Sequence, residues 1–327
     1  VKILVTGGLG FIGSNFILHA LRNPKLRITN IDAGLPGSNV QNLKQVKNNA
    51  RYRYIKGNIT NKKLVDKLAS DIDAIVNFAA ESHVDRSISD PQPFIDSNIY
   101  GTYTLLEAVR RHRKKLIQIS TDEVFGSLKS ANATERYPYN PSSPYAASKA
   151  AAENLVNSYF ITYDSDVITT RCTNNYGPRQ SPEKLIPKTI LLAEQNKKIP
   201  IYGTGKNIRD WIFVQDHCDA IFRVLFEGKR GESYNISANN EADNLKIVKK
   251  ILKIMEKSEN LIEFTSDRPG HDFRYSLNSN KIRRKLSWRP IHKFEDGLEQ
   301  TIEWYQQNKE WRRHIKNEAF TIPWKTR

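Results

Sequence analysis

The sequence predicts an α/β protein: a doubly wound parallel sheet followed by a smaller C-terminal lobe that binds substrate. Three observations carry this reading. Short apolar runs alternate with amphipathic stretches through the first half of the chain. The first run leads straight into a glycine-rich turn and a helical pattern. After about Asn174 the alternation loosens, broken by Gly177, Pro178, Pro182 and Pro187. The 327 residues allow about two domains at roughly 150 residues each. The expected division is 1–173, joined by later strands from about 208–237, and 174–327.

The elements follow in order. Apolar runs at Lys2–Thr6, Ile28–Ile31, Tyr52–Ile55, Ala74–Ala79, Lys115–Ser120 and Asp166–Thr170 read as buried strands. Between them, Ile12–Arg22, Asn61–Ala69, Phe94–His112 and Pro144–Tyr163 read as helices. Right-handed crossovers place the strand ends, and any ligand, along one edge of such a sheet. Further on, Thr189–Asn196, Leu245–Lys257 and Glu295–Asn308 read as helices, the last with apolar Leu298, Ile302 and Tyr305, and Ile201–Asn207 is rich in turn residues. No internal repeat or low-complexity linker separates the halves, so the lobes are expected to pack directly and leave a cleft.

Composition excludes several classes. Apolar residues make up 39% of the chain, with thirteen Phe, fourteen Tyr and five Trp, enough for a packed core. No run approaches the roughly 18 apolar residues of a membrane span. Val1–Thr6 reads as a strand with no charged-then-apolar leader before it. The expectation is therefore a cytoplasmic protein with no membrane partner. Cys172 and Cys218 are the only cysteines and fit neither a disulfide framework nor a four-ligand zinc site.

Lys and Arg total 51 against 35 Asp and Glu, a formal charge of +16. Such an excess raises nucleic acid as a partner. The basic residues, however, are scattered: Arg110–Lys115, Lys246–Lys253, Arg283–Lys285, Arg312 and Arg313. Most fall on helices between apolar positions. They lack the aromatic interleaving of a single-strand binder and any helix-turn-helix or zinc-finger signature. A solvated basic surface is expected, with no specific nucleic-acid partner.

The glycine-rich turn carries the first chemistry. Gly7, Gly10 and Gly13 follow the first strand and open a helix. Glycines here let the chain turn sharply and let its backbone approach a pyrophosphate, which the helix N-terminus then holds. Asp32 lies 19 residues beyond Gly13, at the end of the second strand. An acid there accepts the ribose hydroxyls and repels a 2′-phosphate. The set predicts a Rossmann-type site for NAD rather than NADP.

Two further constellations narrow the reaction. Tyr145 and Lys149 stand at i and i+4 on a predicted helix, on one face. A neighbouring ammonium favours phenolate, a base able to take a hydroxyl proton while hydride leaves the same carbon. The fifth strand ends in Ser120-Thr121-Asp122-Glu123. Two adjacent carboxylates drive their pKa values apart, giving one acid and one base. Oxidation at one carbon needs no such pair; loss of water needs both.

These residues resemble the extended short-chain dehydrogenase/reductase superfamily, and the Thr-Asp-Glu arrangement resembles the dTDP-glucose 4,6-dehydratases within it. Ala79-Ala80-Glu81-Ser82-His83-Val84-Asp85-Arg86-Ser87, Asn174-Asn175-Tyr176-Gly177-Pro178, Glu183-Lys184-Leu185-Ile186-Pro187, Arg209-Asp210-Trp211 and Asp267-Arg268-Pro269-Gly270-His271-Asp272 are similar to segments of that family, and the likeness runs from Val1 to about Tyr305. The chain departs from the family at Asn58, where Asp is usual, at Phe125, where Tyr is usual, and at Phe273, where Arg is usual. An Asn carbonyl accepts the same hydrogen bond as the Asp it replaces.

The resemblance implies the remaining site residues. Phe11, Ile12, Asn58, Ile59, Phe78, Ala79, Ala80, Ser82, Asn98 and Asn175 would join Gly7, Gly10, Gly13, Asp32, Tyr145 and Lys149 around NAD. Ser82, Thr121, Asp122, Glu123, Asn174, Lys184, Leu185, Pro200, Tyr202, Arg209, Asn244, Arg268 and His271 would hold the nucleotide sugar, with Lys184, Arg209 and Arg268 on its diphosphate. No metal is implied, and His83, His217 and His271 lack ligand spacing. A homodimer through Phe94–His112 and Pro144–Tyr163 is implied as well. The implied reaction is redox-neutral dehydration of dTDP-glucose to its 4-keto-6-deoxy product, a precursor of rhamnose and other deoxyhexoses. Tyr145 would act at the 4-hydroxyl, Glu123 at the C5 hydrogen and Asp122 on the leaving C6 hydroxyl, with Thr121 orienting the sugar. The alternatives are another NAD-dependent nucleotide-sugar epimerase, dehydratase or decarboxylase, with CDP- and UDP-linked substrates left open; an epimerase needs no Asp122–Glu123 pair, and an NAD-binding regulator needs no Tyr145–Lys149 pair.

Overall fold

The computed structural model describes residues 1–312, so Arg313 and the rest of 313–327 lie outside it. The first half alternates as the sequence predicts: β1 (Lys2–Thr6), α1 (Phe11–Ala20), β2 (Arg27–Asp32), β3 (Tyr52–Lys56), α2 (Lys62–Ala69), β4 (Ala74–Asn77), α3 (Val84–Ser89), α4 (Gln92–Phe94), α5 (Gly101–His112), β5 (Lys115–Thr121), α6 (Pro144–Tyr163) and β6 (Val167–Cys172). The second half holds β7 (Asn174–Tyr176), α7 (Leu185–Glu194), β8 (Ile199–Tyr202), β9 (Ile208–Phe213), α8 (Val214–Glu227), β10 (Ser233–Ile236), β11 (Glu241–Asp243), α9 (Asn244–Ile254), β12 (Ile262–Thr265), α10 (Asn280–Lys285), α11 (Phe294–Gln307) and α12 (Lys309–Arg312).

Seven strands form the main sheet in the order β10-β6-β5-β4-β1-β2-β3, every pairing parallel. Its two faces are covered by different helices. Phe16 and Ile17 of α1 pack with Ile221 and Val224 of α8 on one face. Val65 of α2, Leu105 and Val109 of α5 and Val156 of α6 pack on the other. This is the doubly wound Rossmann arrangement, and the strand order reverses between β1 and β4, where such sheets bind ligands.

The late contribution to this sheet differs from the expected span 208–237. Only β10 joins it; β9 instead lies between β7 and β11 in a separate three-stranded sheet. Between them α8, which the sequence reading did not single out, packs against α1. Gly177, with φ +147°, and Gln180, whose side chain donates to the Asn175 carbonyl at 2.7 Å, turn the chain out of β7 toward α7. The smaller core is built from Ile186 and Ile190 of α7, Trp211 of β9, Ile247 of α9 and Leu298 and Tyr305 of α11. The turn-rich stretch near 201 is itself partly extended: β8 pairs with β12, Pro200 opposite Glu263 and Tyr202 opposite Thr265.

Candidate active site

The main cleft follows the C-terminal edge of the seven-stranded sheet, from the β1–α1 turn across the ends of β2, β4 and β5 to the start of α6 and on to Lys184. Its first wall is the glycine turn. Gly7 has φ +68°, and a Cβ there would lie 2.6 Å from the backbone nitrogen of Ala79. A Cβ on Gly13 would lie 2.5 Å from the Gly7 carbonyl oxygen. Gly10 precedes α1 without a side-chain cap, so the helix presents its first N–H groups uncovered by side chain. This bare backbone cradle fits a pyrophosphate. Asp32, buried at the end of β2, accepts from Leu9 N at 2.9 Å, Gly34 N at 2.8 Å and Ser38 Oγ at 2.8 Å. Those bonds fix the carboxylate at the cleft wall, where it can accept further donors. Phe11, Ile12, Asn58, Ile59, Phe78, Ala79, Ala80, Ser82 and Asn175 line the same cleft. The set fits a dinucleotide.

Asn98 does not line the cleft but braces its wall. It sits where the helix from α4 to α5 widens into a π-helical turn at Ile95–Tyr100, a distortion that recurs at functional sites. Its amide accepts from Glu81 N at 2.9 Å and donates to Glu81 O at 3.0 Å and Ser148 Oγ at 2.8 Å.

The reactive end of the cleft gathers Thr121, Asp122 and Glu123 with Tyr145 and Lys149. A 3₁₀ turn at Asp122–Phe125 stops β5, capped by Thr121, whose hydroxyl accepts from Glu123 N at 3.3 Å. Ser143 caps α6 by accepting from Ala146 N at 3.1 Å, and Pro144 fills the first helical position. Tyr145 therefore enters the cleft on the first turn of α6. Asp122 is almost wholly buried, and its Oδ2 has no hydrogen-bond partner among the described residues. Burial, reinforced by the charge of Glu123, raises its carboxyl well above the usual range. It thus holds a proton more tightly than an exposed carboxyl does.

The Tyr145–Lys149 expectation needs a correction. The two share a helix face, but the ammonium of Lys149 donates to the Ile119 carbonyl at 2.6 Å. Burial brings Lys149 down to about 8. Burial, then the Glu123 charge, holds the Tyr145 phenol well above its usual value, and the Thr121 hydroxyl bond pulls the other way. The phenol is protonated in this electrostatic setting. The sequence pattern gave the shared face but not the direction in which Lys149 reaches.

The family model described as GDP-mannose 4,6 dehydratase matches residues 4–301. The dTDP-glucose 4,6-dehydratase of Neisseria meningitidis is 43% identical, with 98% of each chain covered. The chain belongs to the dTDP-glucose 4,6-dehydratase family. Members with solved structures superpose closely. The Bacillus anthracis dTDP-glucose 4,6-dehydratase in complex with NAD gives a TM-score of 0.91 at 45% identity, covering 97% of this chain and 100% of that one. The Streptomyces venezuelae enzyme with NAD bound gives 0.95 at 41%, with the same coverage.

Other residues that the likeness to the dehydratase family brought forward fall into two groups. Asn174 and Lys184 line the cleft. Leu185, Pro200, Tyr202, Arg209, Asn244, Arg268 and His271 do not; they stand beyond it, in the adjoining lobe, on α7, β8, β9, the start of α9 and the loop after β12. Tyr202 and Arg268 meet on one carboxylate, and Arg209, His271 and Asn244 each have a partner of their own. Arg268 Nη1 donates to Asp85 Oδ1 at 3.1 Å and Tyr202 OH to Asp85 Oδ2 at 2.9 Å. Arg209 donates to the Asp272 carbonyl at 3.0 Å and lies 4.2 Å over the Tyr275 ring. His271 Nδ1 is 2.6 Å from Asp267 Oδ1, and burial lowers its imidazole to about 4. Asn244 N donates to Asn207 O at 3.1 Å. The charge of Glu123 reaches Lys184, Arg209 and Arg268, which sets this cluster beside the reactive end.

The sequence reading missed Asp85, Glu81 and Tyr275. Tyr275 donates to Asp272 Oδ2 at 2.5 Å and stands 3.4 Å from Glu123 Oε2. Nothing in its local pattern marks it; only the fold brings residue 275 to residue 123. Of the departures, Asn58 lines the cleft. Phe125 is buried and stacks on Tyr139, ring centroids 6.0 Å apart. Phe273 is 55% exposed.

Proposed function

We propose that this protein dehydrates dTDP-glucose to dTDP-4-keto-6-deoxyglucose without net oxidation, with NAD bound along the cleft. The observation that carries this reading is the buried Asp122 beside Glu123, its carboxyl raised by burial and by that neighbouring charge, on the same strand end as Thr121 and in the same cleft end as Tyr145. An epimerase has no use for that acid. NAD would supply reversible hydride transfer, accepting hydride from C4 and giving it back at C6 after water is lost, while a proton returns to C5. Gly7, Gly10, Phe11, Ile12 and Gly13 would hold its pyrophosphate, and Asp32 its adenosine ribose.

The chain's own groups then divide the proton movements. Tyr145, as phenolate after losing its own proton to solvent, takes the 4-hydroxyl proton, and Thr121 orients the sugar. Glu123 removes the C5 hydrogen, acidified by the adjacent ketone. Asp122 gives its proton to the C6 hydroxyl as that leaves as water. Lys149, held between the Ile119 carbonyl and the cleft, supplies positive charge when Tyr145 ionises. Lys184, Arg209 and Arg268 would take the diphosphate.

The working division is 1–173 with β10 for the nucleotide cofactor and most of 174–312 for the sugar nucleotide. We further read the protein as a cytoplasmic homodimer through α5 and α6. Tyr100, Ile161 and Tyr163 beside that surface are 42%, 72% and 50% exposed, which supports a face covered by a second copy; sedimentation velocity of the purified chain at two concentrations should give a dimer. Among the described residues no helix is long and apolar enough to cross a membrane.

Turnover decides the main reading. Protein, NAD and dTDP-glucose, with no reductant, should give a 4-keto-6-deoxy sugar nucleotide with no lasting NADH absorbance. Parallel UDP-, CDP- and GDP-glucose reactions should be slower. Net NADH accumulation, or faster turnover of another nucleotide, overturns the assignment.

A further inference from the structure

Beneath the reactive end lies a charged pair that the proposed chemistry does not use. Glu153 is on α6, one helical turn beyond Lys149 and two beyond Tyr145. Arg171 is on β6. Their side chains are 2% and 4% exposed. Burying two charges is costly unless geometry and added hydrogen bonds compensate, and here they do. The Glu153 carboxylate accepts from Ser120 Oγ at 2.5 Å, Tyr139 OH at 2.9 Å and Arg171 Nε at 2.8 Å, with Arg171 Nη2 at 2.5 Å. The guanidinium lies 5.0 Å over the Phe125 ring and 5.7 Å over that of Tyr139.

The partners explain the placement. Ser120 immediately precedes Thr121-Asp122-Glu123, and Phe125 closes the turn that carries them. One buried ion pair therefore grips both ends of the acid-bearing segment and ties it to the helix that carries Tyr145 and Lys149. We infer that Glu153, with Arg171, is a positioning residue that sets Asp122 and Glu123 against Tyr145 and Lys149. It touches none of the reacting atoms. The inference rests on the proposed roles of those four residues. A second consequence follows from proximity: the Glu153 charge acts on Lys149 and favours its ammonium.

Two variants of the full chain test this. Glu153→Gln keeps the shape and removes the charge; Ser120→Ala removes one donor and keeps the ion pair. Displacing reacting groups by a fraction of an ångström to an ångström costs up to about 10²-fold, so Glu153→Gln should lower kcat by about that factor with KM changed less than about twofold. Ser120→Ala should lower kcat by about fivefold, the worth of one ordinary hydrogen bond. In the NAD-free protein, the Lys149 ammonium followed by NMR of 13Cε-labelled lysine should titrate at lower pH in Glu153→Gln. Folded variants with wild-type kcat and an unmoved Lys149 titration overturn the inference. If Glu153→Gln does not fold, an unchanged kcat in Ser120→Ala overturns it. If the wild type turns over a different nucleotide sugar, the proposed substrate fails while the variant-to-wild-type ratio still decides here; if it turns over none, the lysine titration decides.

Discussion

The sheet edge of the cleft and the lobe that adjoins it are built by different means. On the sheet edge, each functional group stands at the end of a strand or the start of a helix: Gly7 after β1, Asp32 at the end of β2, Thr121 at the end of β5, Tyr145 on the first turn of α6. Short-range structure fixes these positions. In the adjoining lobe the cations are held by partners far away in sequence. Lys184 donates to the Ser82 carbonyl at 3.0 Å, Arg268 to Asp85 at 3.1 Å and Arg209 to the Asp272 carbonyl at 3.0 Å. A diphosphate entering there meets cations already held in place by these bonds. The sheet edge should govern kcat, and the lobe should govern KM.

The largest effect expected is at the reactive end. Glu123→Gln removes the proposed C5 base while keeping its shape, and general-base removal typically costs about 10²–10⁴-fold. Rapid quench should find sugar oxidised at C4 with enzyme-bound NADH and little water lost. Retained dehydration would reassign the base. Gly7→Ala comes next. Its Cβ would meet Ala79 N at 2.6 Å, at a φ of +68°, so the turn must shift where the pyrophosphate lies. NAD affinity, measured by calorimetry, should fall by about tenfold or more, taking the strain at about 1–2 kcal/mol.

On the lobe side, Arg268→Ala should raise KM by about 10–100-fold, from a charge-assisted bond of about 1.5–3 kcal/mol, with kcat nearly intact. Arg268→Lys should recover only part of this, since an ammonium lacks the guanidinium fork that reaches both Asp85 and an anion. A fall in kcat equal to the rise in KM would erase the contrast between the sheet edge and the lobe.

The contrast also explains what the sequence made legible. A strand followed by Gly7, Gly10 and Gly13, an acid at Asp32, and the Tyr145–Lys149 spacing are local patterns whose geometry follows from one turn or one helix. Such patterns pointed to those residues of the sheet edge, whereas Asn58, Ile59, Phe78 and Ala80 came from likeness to a family. The lobe residues became visible through likeness to a family, because no local rule joins Tyr202, Asp85 and Arg268. The assignment of β9 to the main sheet failed for the same reason: six apolar-flanked residues read as a strand without saying which strand they pair with. Glu153 and Arg171 were unreadable too, since a charged residue in a helix or strand reads as solvated until its burial is known. The direction of the Tyr145 shift depends first on its burial and then on the Glu123 charge, and the Lys149 ammonium donates to the Ile119 carbonyl; helix spacing leaves all three open.

The smallest effect is one of stability, and its sign separates Asp122 from an ordinary surface acid. Its folded pKa is raised by burial and by Glu123. Between the unfolded and folded values the native state binds the extra proton, so the stabilisation from this group is complete below the unfolded value and fades as pH rises through the folded one. Asparagine at this position does not titrate. Asp122→Asn should therefore gain Tm relative to wild type as pH rises from mildly acidic toward neutral, even though dehydration is lost. Lys149 acts in a different window and with the opposite slope: with its folded value near 8 against 10.5 when exposed, it adds stability only as pH rises between those limits. Below pH 8 Lys149 drops out, and the difference between Asp122→Asn and wild type at each pH cancels the groups the two share, such as His271. A Tm difference that stays flat with pH would mean that the carboxyl is already ionised in the folded protein, and the proposed proton donor would have to be sought elsewhere.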